Sequence, residues 1–165
     1  MQQYATDERN IVEKLADLHI GGRKMKHALQ AAGIVVLEND NEVLTYNEQK
    51  FTIAGVADKI TCVADSHQAL KNTPEPRILL THTPDVFPDI TDSVTLVLAG
   101  HTHGGQVKLP FIGAPIVPLE HGRRYAEGFI EENNKKMIVS KGLGTSRIPV
   151  RFNCKPEIVV IEFTE

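Results

Sequence analysis

The segment Val94–Gln106 constrains the fold of this chain more than any other. A short run of apolar or β-branched residues, Val94–Leu98, leads into a small Ala-Gly pair, then His101 and His103 separated by one residue, then two more glycines. An apolar run that stops at glycine is typical of a buried strand ending in a tight turn. The pattern therefore predicts that both histidines lie at the carboxyl end of a strand, where open α/β sheets bind their ligands.

A second predicted strand also ends in a histidine. Arg77–Leu80 is a short apolar run that is followed at once by Thr81-His82. A lone histidine at a strand end is usually a hydrogen-bonded structural residue. If the two strands are parallel neighbours, however, His82 lies beside His101. Because neutral imidazole is the commonest protein ligand for transition metals, three histidines at one sheet edge predict a metal site.

The N-terminal part has a helical pattern. Apolar residues recur at helical spacing from Asp7 to about Ile20, and a second helix is expected over Arg23–Ala32 with Gly33 as its C-terminal cap. We expect that second helix to bury four side chains: Met25, Ala28, Leu29 and Ala32.

Later segments predict strands and turns, which makes the chain an α/β protein. Two hairpins are expected, one around Asn47-Glu48 and one around the polar run 131–134. Ser66 is a candidate cap for a short helix that ends near Lys71, and Ile158–Phe163 is expected to close the chain as a strand. The Pro- and Gly-punctuated loop Pro110–Pro118 is too apolar for a linker, so we expect it to pack over the histidine site.

Composition restricts the class of protein. The 165 residues suit one domain, with 41% hydrophobic and 24% charged residues, and the formal net charge of −3 indicates no bulk attraction to nucleic acid or acidic lipid. No apolar run is long enough to span a bilayer, and no signal-peptide arrangement is recognisable. Cys62 and Cys154 are expected to be free thiols in a reducing compartment, although one disulfide stays open.

A second glycine-containing turn, Lys141–Ser146, follows a predicted strand. Its backbone N–H groups are suited to a phosphate, but a plain turn is the simpler interpretation. Arg147 and Arg151 come next, at a spacing that fits either anion contact or a solvated edge.

From about Lys24 to its C-terminus the chain resembles the calcineurin-like metallophosphoesterases, and most closely the bacterial branch that acts on lipid-linked or nucleotide-linked phosphodiesters. The resemblance implies a four-layer α/β sandwich with a mixed sheet, of which this chain carries the C-terminal half behind N-terminal helices. The motifs that carry it are Thr81–Asp85, Gly100–Gln106, Ser140–Ser146 with Pro149, Ala31–Ile34, Val36–Asn39 and Ala54–Val56.

The resemblance also implies a chemistry. Family members hold two divalent metals (manganese, iron or zinc fit the ligand types) that activate a water for hydrolysis of phosphomonoesters or phosphodiesters. By position, His82 and His101 correspond to ligands of one metal and His103 to a ligand of the other. The corresponding candidates for phosphate or substrate binding are Gly104, Gly105, Gly144 and Arg147.

The chain departs from the family pattern because no Gly-Asp or Gly-Asn-His motif occurs anywhere in it. Asp17-Leu-His19 resembles the first family motif, Asp-Leu-His-x-Gly. Either a deletion has joined that motif to the second half, or helix residues mimic it by chance, which its helical context favours. Without a bridging carboxylate, two dications are not held together against their repulsion, so an incomplete centre with a single metal is expected. We treat residues 1–165 as one domain lacking the N-terminal motifs, with 1–23 as a divergent helical segment.

Two functions are therefore open. The chain is either a metal-dependent phosphoesterase with an incomplete metal centre, or a non-catalytic metal-binding or interaction module that is a remnant of one. Half of a sandwich leaves a sheet edge open, so a homodimer or a complementing chain is the expected partner, alongside a phosphoester substrate. The expected location is cytoplasmic, with a peripheral membrane position left open.

Overall fold

A computed structural model describes residues 22–163. Its six strands form a single mixed sheet. The strand order is β1-β2-β3-β4-β6-β5, in which β2, β3, β4 and β6 are parallel and the edge strands β1 and β5 are antiparallel to their neighbours. This confirms an α/β fold with a mixed sheet. The strands are β1 (Asp40–Tyr46), β2 (Gln49–Gly55), β3 (Arg77–Leu80), β4 (Leu96–Ala99), β5 (Gly128–Glu132) and β6 (Lys135–Val139).

Both predicted hairpins are present at the two sides of the sheet. Asn47 and Glu48 connect β1 to β2 with φ values of 48° and 66°, and Asn133 and Asn134 connect β5 to β6 with φ values of 51° and 61°. Two consecutive residues with positive φ give the turn that matches the twist of a two-residue hairpin, and asparagine tolerates that conformation well. The second turn is shorter than the four-residue connection expected from sequence.

The chain is helical over residues 22–31 (α1) and Ser66–Leu70 (α2). Gly33 ends α1 with a φ of 82°, as predicted. The predicted burial of α1 was wrong for three of its four side chains: Met25 is 61% exposed, and Ala28 and Ala32 are exposed as well, whereas Leu29 is half-buried. The α2 cap is Asp65, one residue earlier than predicted, and its carboxylate accepts from the Gln68 N–H. The helix predicted from Asp7 to Ile20 lies outside the described residues.

The predicted closing strand was wrong, because residues 155–163 pair with no other strand among the described residues. The beginning of this segment is held at the turn after β6 instead. The Glu157 carboxylate accepts from the Lys141 N–H, and the Glu157 N–H donates to the Gly142 carbonyl. Ile158 and Val160 beyond it are 76% and 88% exposed.

The hydrophobic core lies on one face of the sheet. Side chains from the four parallel strands pack there against α2 and against two 3-10 turns at Pro84–Asp89 and Gly122–Tyr125. The central members are Ala54, Leu79, Val97, Met137, Val139, Ala69, Leu70, Phe87 and Tyr125.

The opposite face of the sheet, called the open face below, is apolar but poorly covered. Strand registers place the alternate residues of every strand on it. Leu80 is 37% and Phe129 is 60% exposed, and most of the others are half-buried. The open face comprises Leu44, Phe51, Ile53, Ile78, Leu80, Leu96, Leu98, Ile138 and Phe129. Within residues 22–163, no helix is both long enough and apolar enough to cross a membrane.

Leu37 covers the open face only at the end of β2, where it requires a glycine. A Cβ atom on Gly55 would lie 2.6 Å from the Leu37 Cβ and 2.9 Å from the Leu37 carbonyl oxygen. We expect Gly55→Ala to destabilise the protein by about 1–3 kcal/mol, because backbone must move to admit the methyl group. Thermal or urea unfolding measures this. Gly144→Ala is the matched control, since nothing lies within 4 Å of its Cβ position. Equal midpoints for both variants would contradict the proposed packing.

Candidate functional site

The site is built on the parallel pairing of β3 with β4. Leu80 pairs with Leu98, and the Gly100 N–H donates to the His82 carbonyl at 3.1 Å, so the chain leaves both strands side by side. The His101 Nδ1 atom lies 2.9 Å from the His82 Nε2 atom, and the ring centroids are 4.7 Å apart at an interplanar angle of 73°. The expected meeting of these two imidazoles is confirmed.

The surroundings of His82 favour a neutral imidazole. Loss of water around the ring lowers the pKa of His82, and the neighbouring His101 and His103 lower it further, while Asp58 acts in the opposite direction. With its pKa below the usual 6.5, the ring is neutral at neutral pH, so one of its two nitrogens carries a lone pair. Metal ligation needs that lone pair, because only the deprotonated ring nitrogen coordinates.

The turn that follows β4 has an unusual backbone. His101, His103 and Gln106 have φ values of 68°, 49° and 54°, which non-glycine residues adopt only at some energetic cost. The fully buried Thr102 holds the turn, since its hydroxyl accepts from the Gly104 N–H at 3.1 Å. Such strain is typical of turns that fix functional side chains.

His103 is half-buried and close enough to His82 to affect its pKa. Its carbonyl accepts from the Cys154 thiol and from the Arg151 guanidinium. However, no three His, Cys, Asp or Glu side chains among residues 22–163 form a group that could hold a metal ion. The described part of the chain therefore forms a close imidazole pair with His103 nearby, and no ready-made set of three ligands.

The loop 110–118 lies against the histidine turn. A Cβ atom on Gly105 would lie 2.5 Å from the Ala114 Cβ, and the His101 Nε2 atom is 3.2 Å from the Pro118 carbonyl oxygen. This contact uses the second ring nitrogen of His101, which fixes the ring orientation in the way that outer hydrogen bonds orient metal-binding histidines.

A buried carboxylate fixes the continuation of this loop. Asp85 is 6% exposed and accepts from the backbone N–H groups of Glu120 and His121 and from the Thr83 hydroxyl. Because Asp85 follows β3 by a few residues, it connects the strand that carries His82 to the loop that contacts His101.

The second glycine-containing turn is tied to the histidine turn through two side chains. Gln106 donates to the Ser146 carbonyl at 3.0 Å, and Arg151 donates to the carbonyls of Lys141 and His103 at 2.7 and 3.3 Å. Arg151 is thus a structural clamp, whereas sequence left its role open. Arg147 is exposed and lies next to Ser146.

The N–H groups of the two predicted phosphate-binding glycines after His103 are already in use. Gly104 donates to the Thr102 hydroxyl and Gly105 to the Thr102 carbonyl, so a phosphate would have to replace these bonds. Gly104 must also remain glycine: its φ is 62°, and a Cβ atom would lie 2.8 Å from the Cys154 Sγ atom.

Asp58 was not predicted from the sequence to act on the site, and Asp85 and Arg151 were named there without the loop-holding roles that the structure gives them. Asp58 follows β2, whose parallel pairing with β3 brings it near His82. The signal was available, because Asp58 follows a third apolar strand that also ends at a glycine, Gly55. Asp17 and His19, the other candidate metal ligands, lie outside the described residues.

Comparison with known proteins agrees with this geometry. The chain is 38% identical to an uncharacterized metallophosphoesterase of Bacillus subtilis (strain 168), YkuE, over 139 residues, which are 82% of this chain and 48% of the relative. It is 33% identical to the phosphodiesterase YaeI of Escherichia coli (strain K12) over 135 residues, 81% of this chain and 49% of the relative. The chain belongs to the calcineurin-like metallophosphoesterases.

Further metallophosphoesterase relatives include an uncharacterized member from Aquifex aeolicus (strain VF5), 34% identical over 155 residues, which are 88% of this chain and 56% of the relative. The chain thus spans about half the length of the curated relatives it matches. No family model matches the sequence. No solved structure matches it either.

The Asp85 carboxylate is expected to hold the loop that contacts His101. Asp85→Asn replaces a charged acceptor of backbone N–H groups, so we expect a loss of about 1–3 kcal/mol in unfolding free energy. The His101 ring resonances should also shift in an NMR spectrum, because the Pro118 contact loosens. Asp40→Asn is the matched control, since Asp40 is exposed on β1 and its carboxylate accepts from the neighbouring Asn41 N–H. Identical stability and unmoved His101 resonances in both variants would contradict this role.

Proposed function

We propose that this chain carries the histidine part of a metal-dependent phosphoesterase site, which hydrolyses phosphomonoesters or phosphodiesters with a metal-activated water. The observation that carries the proposal is the 2.9 Å approach of His101 Nδ1 to His82 Nε2 at the carboxyl ends of two parallel strands. The names of the relatives, metallophosphoesterase and phosphodiesterase, support the same reaction class.

A divalent metal fits this pair of side chains. Two imidazole nitrogens that share a tetrahedral zinc lie roughly 3.3 Å apart, given zinc–nitrogen distances of about 2.0–2.1 Å. The observed separation is slightly shorter, so a small opening of the pair would suffice. Bound there, the metal would polarise the phosphoester and lower the pKa of its water. His82 and His101 would hold it, with His103 as the third ligand; manganese, iron or zinc suit such ligands.

We propose that the centre is incomplete and holds one ion. Asp58 acts on the pKa of His82, but no three His, Cys, Asp or Glu side chains within residues 22–163, Asp58 included, form a group that could hold a metal ion. A second dication needs a bridging anion to offset the repulsion between the metals. Substrate contacts are assigned to Arg147 and Gly144 at the second turn, and to Gly104 and Gly105 where phosphate replaces the internal bonds.

The second candidate function is a non-catalytic metal-binding or interaction module. It is favoured by one observation, namely that residues 22–163 contain no preformed group of three metal-binding side chains. A module of this kind would bind metal weakly through the imidazole pair and show no turnover.

Hydrolysis of bis-p-nitrophenyl phosphate separates the two candidates. We expect slow turnover that requires added manganese and falls at least about tenfold in His101→Ala, because the metal loses a ligand whose second nitrogen is already oriented. His67→Ala is the control, since His67 is highly exposed on α2 and far along the chain from the site. Equal rates for the two variants would contradict the phosphoesterase function and support the non-catalytic module. Metal analysis showing two ions per chain would contradict the single-ion centre.

The open face indicates how the site is completed. Parallel strands are found in sheets that are covered on both faces. Here the central strands β2, β3 and β4 present the half-buried side chains of Ile53, Ile78 and Leu98 to a face that residues 22–163 cover only in part. His82 and His101 follow the strands that carry this face. A polypeptide seated on it would therefore also reach the edge of the sheet where the imidazole pair lies.

We propose that the occupant is a polypeptide equivalent to the part of the relatives that this chain does not match. The relatives are about twice as long as their matched regions. Their unmatched part is therefore about as large as this chain, which is large enough to cover the open face. Missing metal ligands would come from the same polypeptide. A homodimer formed through the open face is the competing arrangement.

Mixing experiments test this partner. The unmatched part of the Bacillus subtilis relative, produced separately, should form a one-to-one complex with this chain in size-exclusion chromatography with light scattering. Phe129→Glu on the open face should weaken the complex at least about tenfold, because a charge would be buried without a partner. Val63→Glu is the control, since Val63 is 80% exposed and lies in the connection between β2 and α2, not on a strand of the open face. A homodimer of this chain that persists, without forming a complex, when the polypeptide is added would contradict the proposal.

We also propose a cytoplasmic location with peripheral contact to a membrane. The sequence carries a formal net charge of −3, so any such contact must come from a local surface and not from overall charge.

A further inference from the structure

The loop that follows the histidine turn ends in a rigid apolar protrusion. Leu109 and Gly113 exchange two backbone hydrogen bonds of 2.9 Å, which close the residues between them into a tight turn. Phe111 stands at its tip with a φ of 65° and a side chain that is completely exposed, and Ile112 beside it is 56% exposed. The turn therefore presents two large apolar side chains directly to solvent.

A second apolar protrusion belongs to the turn after β6. Leu143 is 64% and Ile148 is 62% exposed. This turn is tied to the histidine turn by Gln106, whose amide donates to the carbonyls of Ser146 and Ile148. The first protrusion is tied to the same place through the contact of Ala114 with Gly105. Both turns are thus attached to the histidine turn, and we call Phe111, Ile112, Ile116, Leu143 and Ile148 together the apolar rim.

Two cations accompany the rim. Arg123 donates to the Ile112 carbonyl, just behind the tip, and Arg147 immediately precedes Ile148. Neither guanidinium pairs with a carboxylate within residues 22–163, whereas Lys108 and Lys141 nearby are both paired with glutamates. The rim therefore combines apolar tips with local positive charge, although the whole chain is weakly acidic.

We propose that the apolar rim inserts into the interface of an anionic lipid bilayer, with Arg123 and Arg147 at the depth of the headgroups. Separate protruding tips suit a fluid acyl layer, which closes around each side chain, whereas a protein partner needs a continuous complementary patch. An arginine next to an apolar tip suits this position, because its guanidinium can lie among the charged headgroups while the tip enters the acyl layer. The inference deepens the proposed membrane contact, and it would orient the histidine turn toward phosphate groups at the membrane surface.

The absence of tryptophan from the chain provides a direct test. In Phe111→Trp, the indole is the sole tryptophan, and its emission should shift to the blue when vesicles of phosphatidylglycerol and phosphatidylcholine in equal amounts are added. Vesicles of phosphatidylcholine alone should give a much smaller shift, because the arginines then lack anionic partners. No shift with anionic vesicles would overturn the proposal, as would a shift that appears on raising the protein concentration alone, which would indicate a protein contact.

Cosedimentation of the full chain with the same vesicles measures the affinity. The double variant Phe111→Ser/Ile112→Ser should bind at least about tenfold more weakly, because each lost side chain removes apolar burial in the interface. The control Tyr46→Ser/Val63→Ser removes an aromatic and an aliphatic side chain of 72% and 80% exposure outside the rim and should bind like the parent. Equal loss in both variants would overturn the assignment.

The same measurement on His101→Ala keeps this inference separate from the proposed hydrolysis. The variant lacks a proposed metal ligand but retains the rim, so it should bind vesicles with unchanged affinity. If the parent protein binds vesicles but hydrolyses no phosphoester, only the proposed phosphoesterase function is overturned. If it hydrolyses phosphoesters but does not bind vesicles, only the proposed membrane insertion of the apolar rim is overturned.

Discussion

The parallel hydrogen-bonded register of β3 and β4 is the constraint on which the rest of the site depends. It sets two consecutive strand ends side by side, so that the residues following them meet without any need for a long loop. The 2.9 Å separation of the His82 and His101 nitrogens is a direct result, because the Gly100 N–H still bonds to the His82 carbonyl just beyond the last paired residues. The chemistry proposed for the chain follows from this backbone arrangement and from the neutral state that partial loss of hydration and neighbouring imidazoles favour in His82.

Around this pair, polar side chains fix loops that would otherwise be free to move. Asp85 holds the segment that contacts His101 from one side, and Arg151 holds the carbonyl of His103 from the other. Neither side chain contacts the ring nitrogens. Both therefore act by orientation, in the way that outer hydrogen bonds set the direction of metal-binding residues. The strained φ values of His101 and His103 persist because these contacts over-determine the turn.

Local patterns in the sequence predicted much of this arrangement. The two hairpins, the strand Arg77–Leu80 and the meeting of His82 with His101 followed from periodicity, turn residues and the rule that parallel strands end at one edge. Burial was harder to predict. Helix α1 has the right spacing of apolar residues, yet Met25 is exposed, because spacing cannot tell whether a surface exists for a helix to cover. The strand predicted over Ile158–Phe163 was wrong for a related reason, since a strand forms only where another strand offers a free edge to pair with. The role of Asp85 was missed because it depends on contacts across the chain, whereas Asp58 could have been found from the apolar strand that precedes it.

The order of the strands has a consequence for how the chain reaches its native state. Each edge of the sheet is a local hairpin, β1 with β2 and β5 with β6, which closes over a two-residue turn and forms rapidly. The central pairings of β2 with β3, β3 with β4 and β4 with β6 are parallel and join residues far apart in the chain, so their loop-closure entropy makes them slow. Among these parallel pairings, that of β3 with β4 joins residues 18 apart, against 25 for β2 with β3 and 40 for β4 with β6. Its loop-closure cost is therefore the smallest of the three, so the two imidazoles are expected to meet before β6 joins the sheet.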